Sequence, residues 1–390
     1  MMQIPRRTAL VLTLGAFALA AITFLGGCSG IAYYGQSING HLALLRAARP
    51  VDEVIADPAT TPDTRRRLTL AIEARKFASE ALALPSGPSY TRYADLQRPF
   101  VVWNVIAAPA LSLTPQTWCF AVAGCVSYRG YFDQAEAQAF ATELRSQRLD
   151  VNVSGVPAYS TLGKLEWLGG DPLLSTFIRY PEAELAKLIF HELAHQVVYV
   201  AGDANFNESF AVAVEREGVR RWLNDRAADP NRATFAAAHA TQAARRTGFL
   251  RILREARERL VALYGSDTDD AVKLRQKAAV FAQLKADYAA LRAQWSADDT
   301  RSATPEPTNR YAGYDAYFAR ELNNAHLAAI ATYTEHVAGF QGLLHDANGD
   351  LPRFFARVKT LAAQPVAERA KALTDAARIC AAQPDVCPSL

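Results

Sequence analysis

The chain has little cysteine, little net charge and no phosphate-binding loop. Lysine plus arginine number 42 against 39 aspartate plus glutamate, a formal +3 over 390 residues. So even a balance leaves no electrostatic footprint for nucleic acid, and basic and aromatic residues are not interleaved. No Gly-rich segment offers a cradle for nucleotide phosphates. The five cysteines include no C-x-x-C spacing, which argues against a thiolate metal site. Half the residues are apolar, so the chain is not disordered, and its length allows one large domain or two.

What is present begins with a targeting segment. Arg6 and Arg7 precede an apolar run from Ala9 to Phe24, and then comes Leu25-Gly26-Gly27-Cys28. The last four residues resemble the lipobox of bacterial lipoproteins. That resemblance implies cleavage after residue 27 and a lipid on the Cys28 thiol; a plain secretory signal or an anchor helix is the alternative. Ser29 in place of aspartate favours the outer membrane, facing the periplasm. With Cys28 lipidated, Cys119 with Cys125 and Cys380 with Cys387 remain as two close pairs, and export makes both disulfide candidates.

The chemistry centres on His191-Glu192-Leu193-Ala194-His195. Residues four apart share a helix face, so the two imidazoles stand together and suit one Zn²⁺ ion. Glu192, one residue on, can reach a water on the metal as general base. A helix here is supported by the stripe Leu185, Leu188, Ile189, Leu193 and Val197, by the absence of Pro and Gly from Ala183 to Val200, and by Pro181 and Glu182 at the start. The metzincin continuation fails, because Val198 and Ala201 occupy its Gly and His positions. A gluzincin takes its third ligand from a glutamate on the next helix. The run Asn207-Glu208-Ser209-Phe210-Ala211, with Glu215 beyond it, resembles the N-E-x-F-A-x-x-x-E signature of aminopeptidase N-like gluzincins. By that resemblance Glu208 is the ligand, and Glu215 and Asn207 stand behind it; Glu215 is the next candidate if Glu208 only serves the helix start.

Around this centre the texture varies. Residues 29–48 and Pro62–Leu84 read as helices, the second capped by Thr61 or Asp63. From Pro85 to Gly130, aromatics, Pro and Gly crowd into strands and loops. Asp133–Gln147 is a short helix, and 149–156 alternates as a half-buried strand. Gluzincins place a substrate-binding edge strand ahead of the metal helix, so 156–163, with Tyr159 and Ser160, is expected to line the cleft. Arg232–Tyr264 and Asp267–Trp295 repeat apolar residues at steps of three and four around a Gly265-Ser266 turn, the pattern of an antiparallel helical hairpin. Residues 311–344 read as helix, with Tyr314, Tyr317 and His326 as candidates for an oxyanion donor and Asn323-Asn324 hinting at a polar site.

The lipobox, the Trp118–Phe132 run, Ala158–Gly163, Phe190–Gln196 and Phe206–Ala211 together resemble the bacterial lipoprotein aminopeptidase family of zinc peptidases. The resemblance implies an α+β, mainly helical fold: a zincin-like metallopeptidase core with a small sheet, plus the long helical hairpin. The segments are then a signal peptide 1–27, an N-terminal helical segment 28–84, a catalytic core 85–230, the hairpin 231–297, a linker 298–309 and a C-terminal helical region 310–390 completing the core. It implies one Zn²⁺, a peptide substrate, a membrane anchor and no nucleic-acid partner. Two alternatives stay open: an envelope endopeptidase, and a non-catalytic zinc-containing lipoprotein that scaffolds partners.

Overall fold

The computed structural model describes residues 28–120, 124–164, 166–226, 229, 232–301, 311–328 and 336–382. The chain is mainly helical, with small sheets. Helix α1 (Cys28–Ala47) leads into β1 (Arg49–Pro50), α2 (Val51–Ala56) and α3 (Pro62–Glu80). Thr61 caps α3 by accepting from the Thr64 amide, and Pro62 takes the first helical position, where no donor is needed. Leu68, Ala71, Ala74 and Ala78 are buried, and this small-residue face lets α3 lie close to its neighbours.

Strands follow: β2 (Arg92–Ala94), β3 (Val102–Pro109), β4 (Trp118–Phe120), β5 (Gly124–Val126) and β6 (Arg129–Tyr131). After α4 (Gln134–Ser146), capped by Asp133, comes β7 (Leu149–Val156). β3 is the middle strand of the order β6-β3-β7 and pairs antiparallel with β7 from Val102↔Val156 to Pro109↔Leu149. Ala137, Ala141 and Leu144 of α4 cover Trp103, Val105 and Val151 of this sheet. A second sheet has the order β1-β2-β8, with β8 at Leu173–Leu174. β4 and β5 form a hairpin closed by the Cys119–Cys125 disulfide.

The expected strand over 156–163 ends at Val156. Pro157 has no amide hydrogen to continue a ladder. The next donors go to side chains: Thr161 N to Asp171, and Leu162 N to Ser160 Oγ. Tyr159 and Ser160 therefore sit in a loop leaving an outer strand.

The centre of the molecule is α5 (Glu182–Val197) against α6 (Ala204–Asp225). Leu185, Ile189, Phe190 and Leu193 of α5 are fully buried, as are Phe210 and Ala211 of α6. Phe77 of α3 meets both Phe190 and Trp222. Helices α7 (Arg232–Tyr264) and α8 (Asp270–Arg301) form the antiparallel pair, sealed by Ile252, Leu253, Ala256 and Leu260 against Phe281, Leu284, Tyr288 and Leu291. Arg245 near the start of α7 pairs with Asp299 near the end of α8 at 2.6 Å. That pair holds the helix to Arg301, inside the segment read as linker from residue 298; residues 302–310 lie outside the described residues.

The helix expected over 311–344 is broken. α9 (Ala312–Phe318) and α10 (Asn324–Ala328) are separate, and α11 begins at Val337. The cause is the asparagine pair. Asn324 Nδ2 donates to the carbonyls of Pro109, Ala110 and Ser112, and Asn323 Nδ2 to that of Val151. These residues tie the chain to the ends of β3 and β7; they are structural anchors. α11 (Val337–Asp346), α12 (Leu351–Ala362) and α13 (Val366–Ala382) then wrap α6, placing Phe340, Phe354 and Phe355 on Phe210. Cys380 is disulfide-bonded; Cys387, its expected partner, lies outside the described residues, as does the signal segment 1–27. Among the described residues no helix is long and apolar enough to cross a membrane.

Candidate metal centre

Burying the Leu185-Ile189-Leu193 stripe turns the opposite edge of α5 toward α6, and His191 and His195 stand on that edge. Their Nε2 atoms lie 3.2 Å apart. Glu208, in the second turn of α6, brings Oε2 to 3.4 Å from His191 Nε2 and Oε1 to 3.8 Å from His195 Nε2. The three ligand atoms all fall within 4.8 Å of one another. Donors held tetrahedrally by zinc at its usual bond lengths stand about 3.3 Å apart. The spacing and the donor set, two imidazoles and a carboxylate, thus fit one such ion.

The turn between the helices fixes this geometry. Asn207 grips the Val200 peptide at both ends: Oδ1 accepts from Val200 N and Nδ2 donates to Val200 O, each at 2.8 Å. Expected behind the metal ligands, Asn207 instead clamps the turn that presents Glu208. Asp203 caps α6 through Phe206 N and pairs with Arg369 of α13 at 2.6 Å. The disulfide hairpin docks on the same turn. A Cβ on Gly124, which has φ +73°, would come within 2.6 Å of Gly202 N, so only glycine permits that approach.

Glu215 stands behind His191, with Oε2 2.8 Å from Nδ1. With the Nδ1 proton directed to Glu215, the Nε2 lone pair faces His195 and Glu208. Burial disfavours charge on His191, but hydrogen bonds to Glu208 and Glu215 outweigh it and hold its pKa well above the usual histidine value. Despite burial, the same His191 contacts hold Glu208 and Glu215 below the usual carboxylate range. Burial and the neighbouring His191 push His195 down to about 4. These are properties of the side chains alone; a divalent cation favours neutral imidazoles and ionised carboxylates.

Glu192 is not among the clustered ligand atoms. Burial pushes its carboxyl up to about 7; His191 opposes the rise, and the charges of Glu208 and Asp171 add to it. Ser160 lies near enough to Glu192 to oppose the rise slightly. Ser160 is itself held: its hydroxyl donates to Asp171 Oδ2 at 3.2 Å, and Asp171 accepts from Thr161 N at 3.0 Å. Asp171 is only 1% exposed. It thus positions the loop beside Glu192. Tyr159, further back, packs on Phe132 and His41.

Tyr314, Tyr317 and His326, proposed from sequence for oxyanion binding, are engaged elsewhere. Both tyrosines pack on Phe249 of the helical pair, and His326 packs on Tyr317. The phenols that feel the metal cluster are Tyr128 and Tyr199. Tyr199 lies beside His195, with ring centroids 6.3 Å apart. The surrounding protein, then the charges of Glu208 and Glu192, raises the Tyr128 pKa, although the ring keeps an exposed face. Neither tyrosine carried a local signal in the sequence. Nor did Asp171, whose Gly-Gly-Asp-Pro setting reads as an ordinary turn.

No curated protein and no solved structure matches this chain. One family model does, from residue 32 to residue 373, across the α5–α6 pair, the sheet and the helical hairpin. On that match, the chain belongs to the family described as "Putative aminopeptidase".

Proposed function

We propose that the chain is a zinc-dependent peptidase, an aminopeptidase, that holds one Zn²⁺ through His191, His195 and Glu208 and uses Glu192 as general base. A single observation carries this reading: three ligand atoms converge beside a further, half-buried carboxylate that is not one of them. A site built only to hold an ion has no use for that spare group. The ion would supply Lewis acidity toward water and the peptide carbonyl. Glu192 takes a proton from the attacking water and delivers it to the leaving amine, the work of a positioned general base. Ser160, whose hydroxyl donates to Asp171, lines the site beside that carboxylate. Glu215 fixes the His191 tautomer. Tyr128 and Tyr199 are the hydroxyls proposed to meet the developing oxyanion.

The aminopeptidase assignment draws on family membership. The deciding experiment is digestion of a peptide library read by mass spectrometry, with free and with blocked N-termini. Cleavage of free N-termini only, stopped by a chelator and restored by zinc, is expected. Equal cleavage of blocked peptides makes the enzyme an endopeptidase, and no cleavage at all leaves a zinc-binding scaffold. The same reading places the protein in the bacterial envelope, anchored by lipid on Cys28 to the outer membrane and facing the periplasm. The lipobox and the Cys119–Cys125 disulfide support this home. Cys28→Ala is expected to move the chain from the membrane to the soluble fraction.

A further inference from the structure

A cavity of about 260 Å³ lies between α5, α6 and α7, closed by Tyr314 of α9 and bordered by Glu215. It is separate from the converging ligand atoms: Glu215 turns Oε2 to His191 and leaves Oε1 3.9 Å from Lys187 on the cavity side. Its walls combine apolar surface from Val212, Val219 and Leu250 with three cations, Lys187, Arg216 and Arg246. Two carboxylates, Glu184 and Glu215, oppose them, so the lining carries one positive charge in excess.

The carboxylates are already committed. Lys187 reaches Glu184 at 3.2 Å and Glu215 at 3.9 Å, and Glu215 also serves His191. Arg216 and Arg246 make no hydrogen bond or salt bridge among the described residues. Arg216 feels the opposite charge of Glu215 first and the like charge of Arg246 after it. His239, whose side chain is 9% exposed, is similar: Nδ1 stands 3.6 Å from Glu184 Oε1, and neither ring nitrogen has a hydrogen-bond partner. An imidazole this buried with no hydrogen bond is costly unless a partner lies beside it, and Arg216 and Arg246 line the same cavity with unspent donors.

We propose that this cavity binds a small oxyanion through Arg216, Arg246 and His239. The chemistry is that of guanidinium recognition, which suits the planar or tetrahedral oxygens of a carboxylate or a phosphate. The volume exceeds what a bare anion fills, and the apolar wall gives a compact organic body somewhere to lie. Two sources share this chemistry: free phosphate, and the carboxylate of a small apolar acid.

Isothermal titration of the full chain at low ionic strength, with inorganic phosphate and separately with benzoate, tests the site. Saturable one-to-one binding of at least one probe is expected, and the tighter probe identifies the source. Arg246→Gln, at the exposed rim, and Arg216→Gln should each weaken that binding roughly tenfold or more, as loss of a charge-assisted hydrogen bond does. His195→Ala, which removes a proposed metal ligand and does not line the cavity, should leave it unchanged, so the anion site stands or falls independently of zinc and peptidase activity. Failure of both probes to saturate, or parent-like affinity in both arginine variants, overturns the proposal.

Discussion

Removing Glu215 separates the metal ligands from the groups that steer them. Its carboxylate is 2.8 Å from His191 Nδ1 and touches the proposed ion nowhere. Glu215→Ala therefore leaves all three ligands in place but frees the His191 ring and its tautomer. Carboxylates in this position are worth about tenfold to a hundredfold in metal affinity, or roughly 1.4 to 2.8 kcal/mol. A hydrogen bond to a charged group, at about 1.5–3 kcal/mol, gives the same range by a different route. Lys187 keeps Glu184 at 3.2 Å, whereas Arg216 loses the carboxylate charge that opposes it, so Glu215→Gln, which loses the same charge, is the control for that effect. Glu208→Ala deletes a ligand outright and should lose more than a hundredfold. Glu215→Gln should fall between parent and Glu215→Ala, since an amide oxygen can accept the same bond without the charge. The assay is competition for zinc against a chromophoric chelator at fixed pH. Parent-like affinity in Glu215→Ala, or a loss as large as that of Glu208→Ala, would refute this division of labour.

Three further outcomes follow from particular contacts. Gly218→Ala puts a Cβ within 2.7 Å of Phe190 and 2.9 Å of Leu82, so overpacking should destabilise the chain by about 1–3 kcal/mol; an unchanged urea midpoint would show that the α5–α6 interface yields freely. Burial holds His326 at about 4, below the usual histidine value of 6.5, so the folded state binds fewer protons between those values. Stability is then fully present above pH 6.5 and lost as pH falls toward 4, by about 3 kcal/mol. His326→Gln should flatten that limb of the urea midpoint against pH, and a slope equal to the parent's would count against the shift. Tyr128→Phe should lower kcat on the order of a hundredfold with little change in KM; unaltered kcat removes Tyr128 from oxyanion binding.

What the sequence made legible was local. The α5 stripe and the two histidines share a single helix, so a period of 3.6 suffices to orient them. The helical hairpin was legible for the same reason. Glu208 took more: it comes close to the histidines only because Asn207 and Asp203 set the turn, and both act through backbone contacts that a motif does not display. Asn323-Asn324 was correctly marked as unfavourable inside a helix. The polar groups it serves, however, are the carbonyls at the ends of β3 and β7, more than 170 residues earlier. Asp171 and Tyr128 approach Glu192 only through tertiary packing. The loop at 157–163 departs from the expected strand because Asp171 captures its donors, and no pattern of apolar and polar residues records that capture.

The most direct test compares peptide cleavage by the parent and by Glu192→Gln at matched zinc content. The substitution keeps the side chain's shape and leaves His191, His195 and Glu208 untouched. One zinc per chain should be retained, while the cleavage rate falls about 10² to 10⁴-fold, the span that a positioned general base contributes. Cleavage at the parent's rate by the zinc-loaded variant would contradict the assignment, and so would a parent that cleaves peptides but binds no zinc.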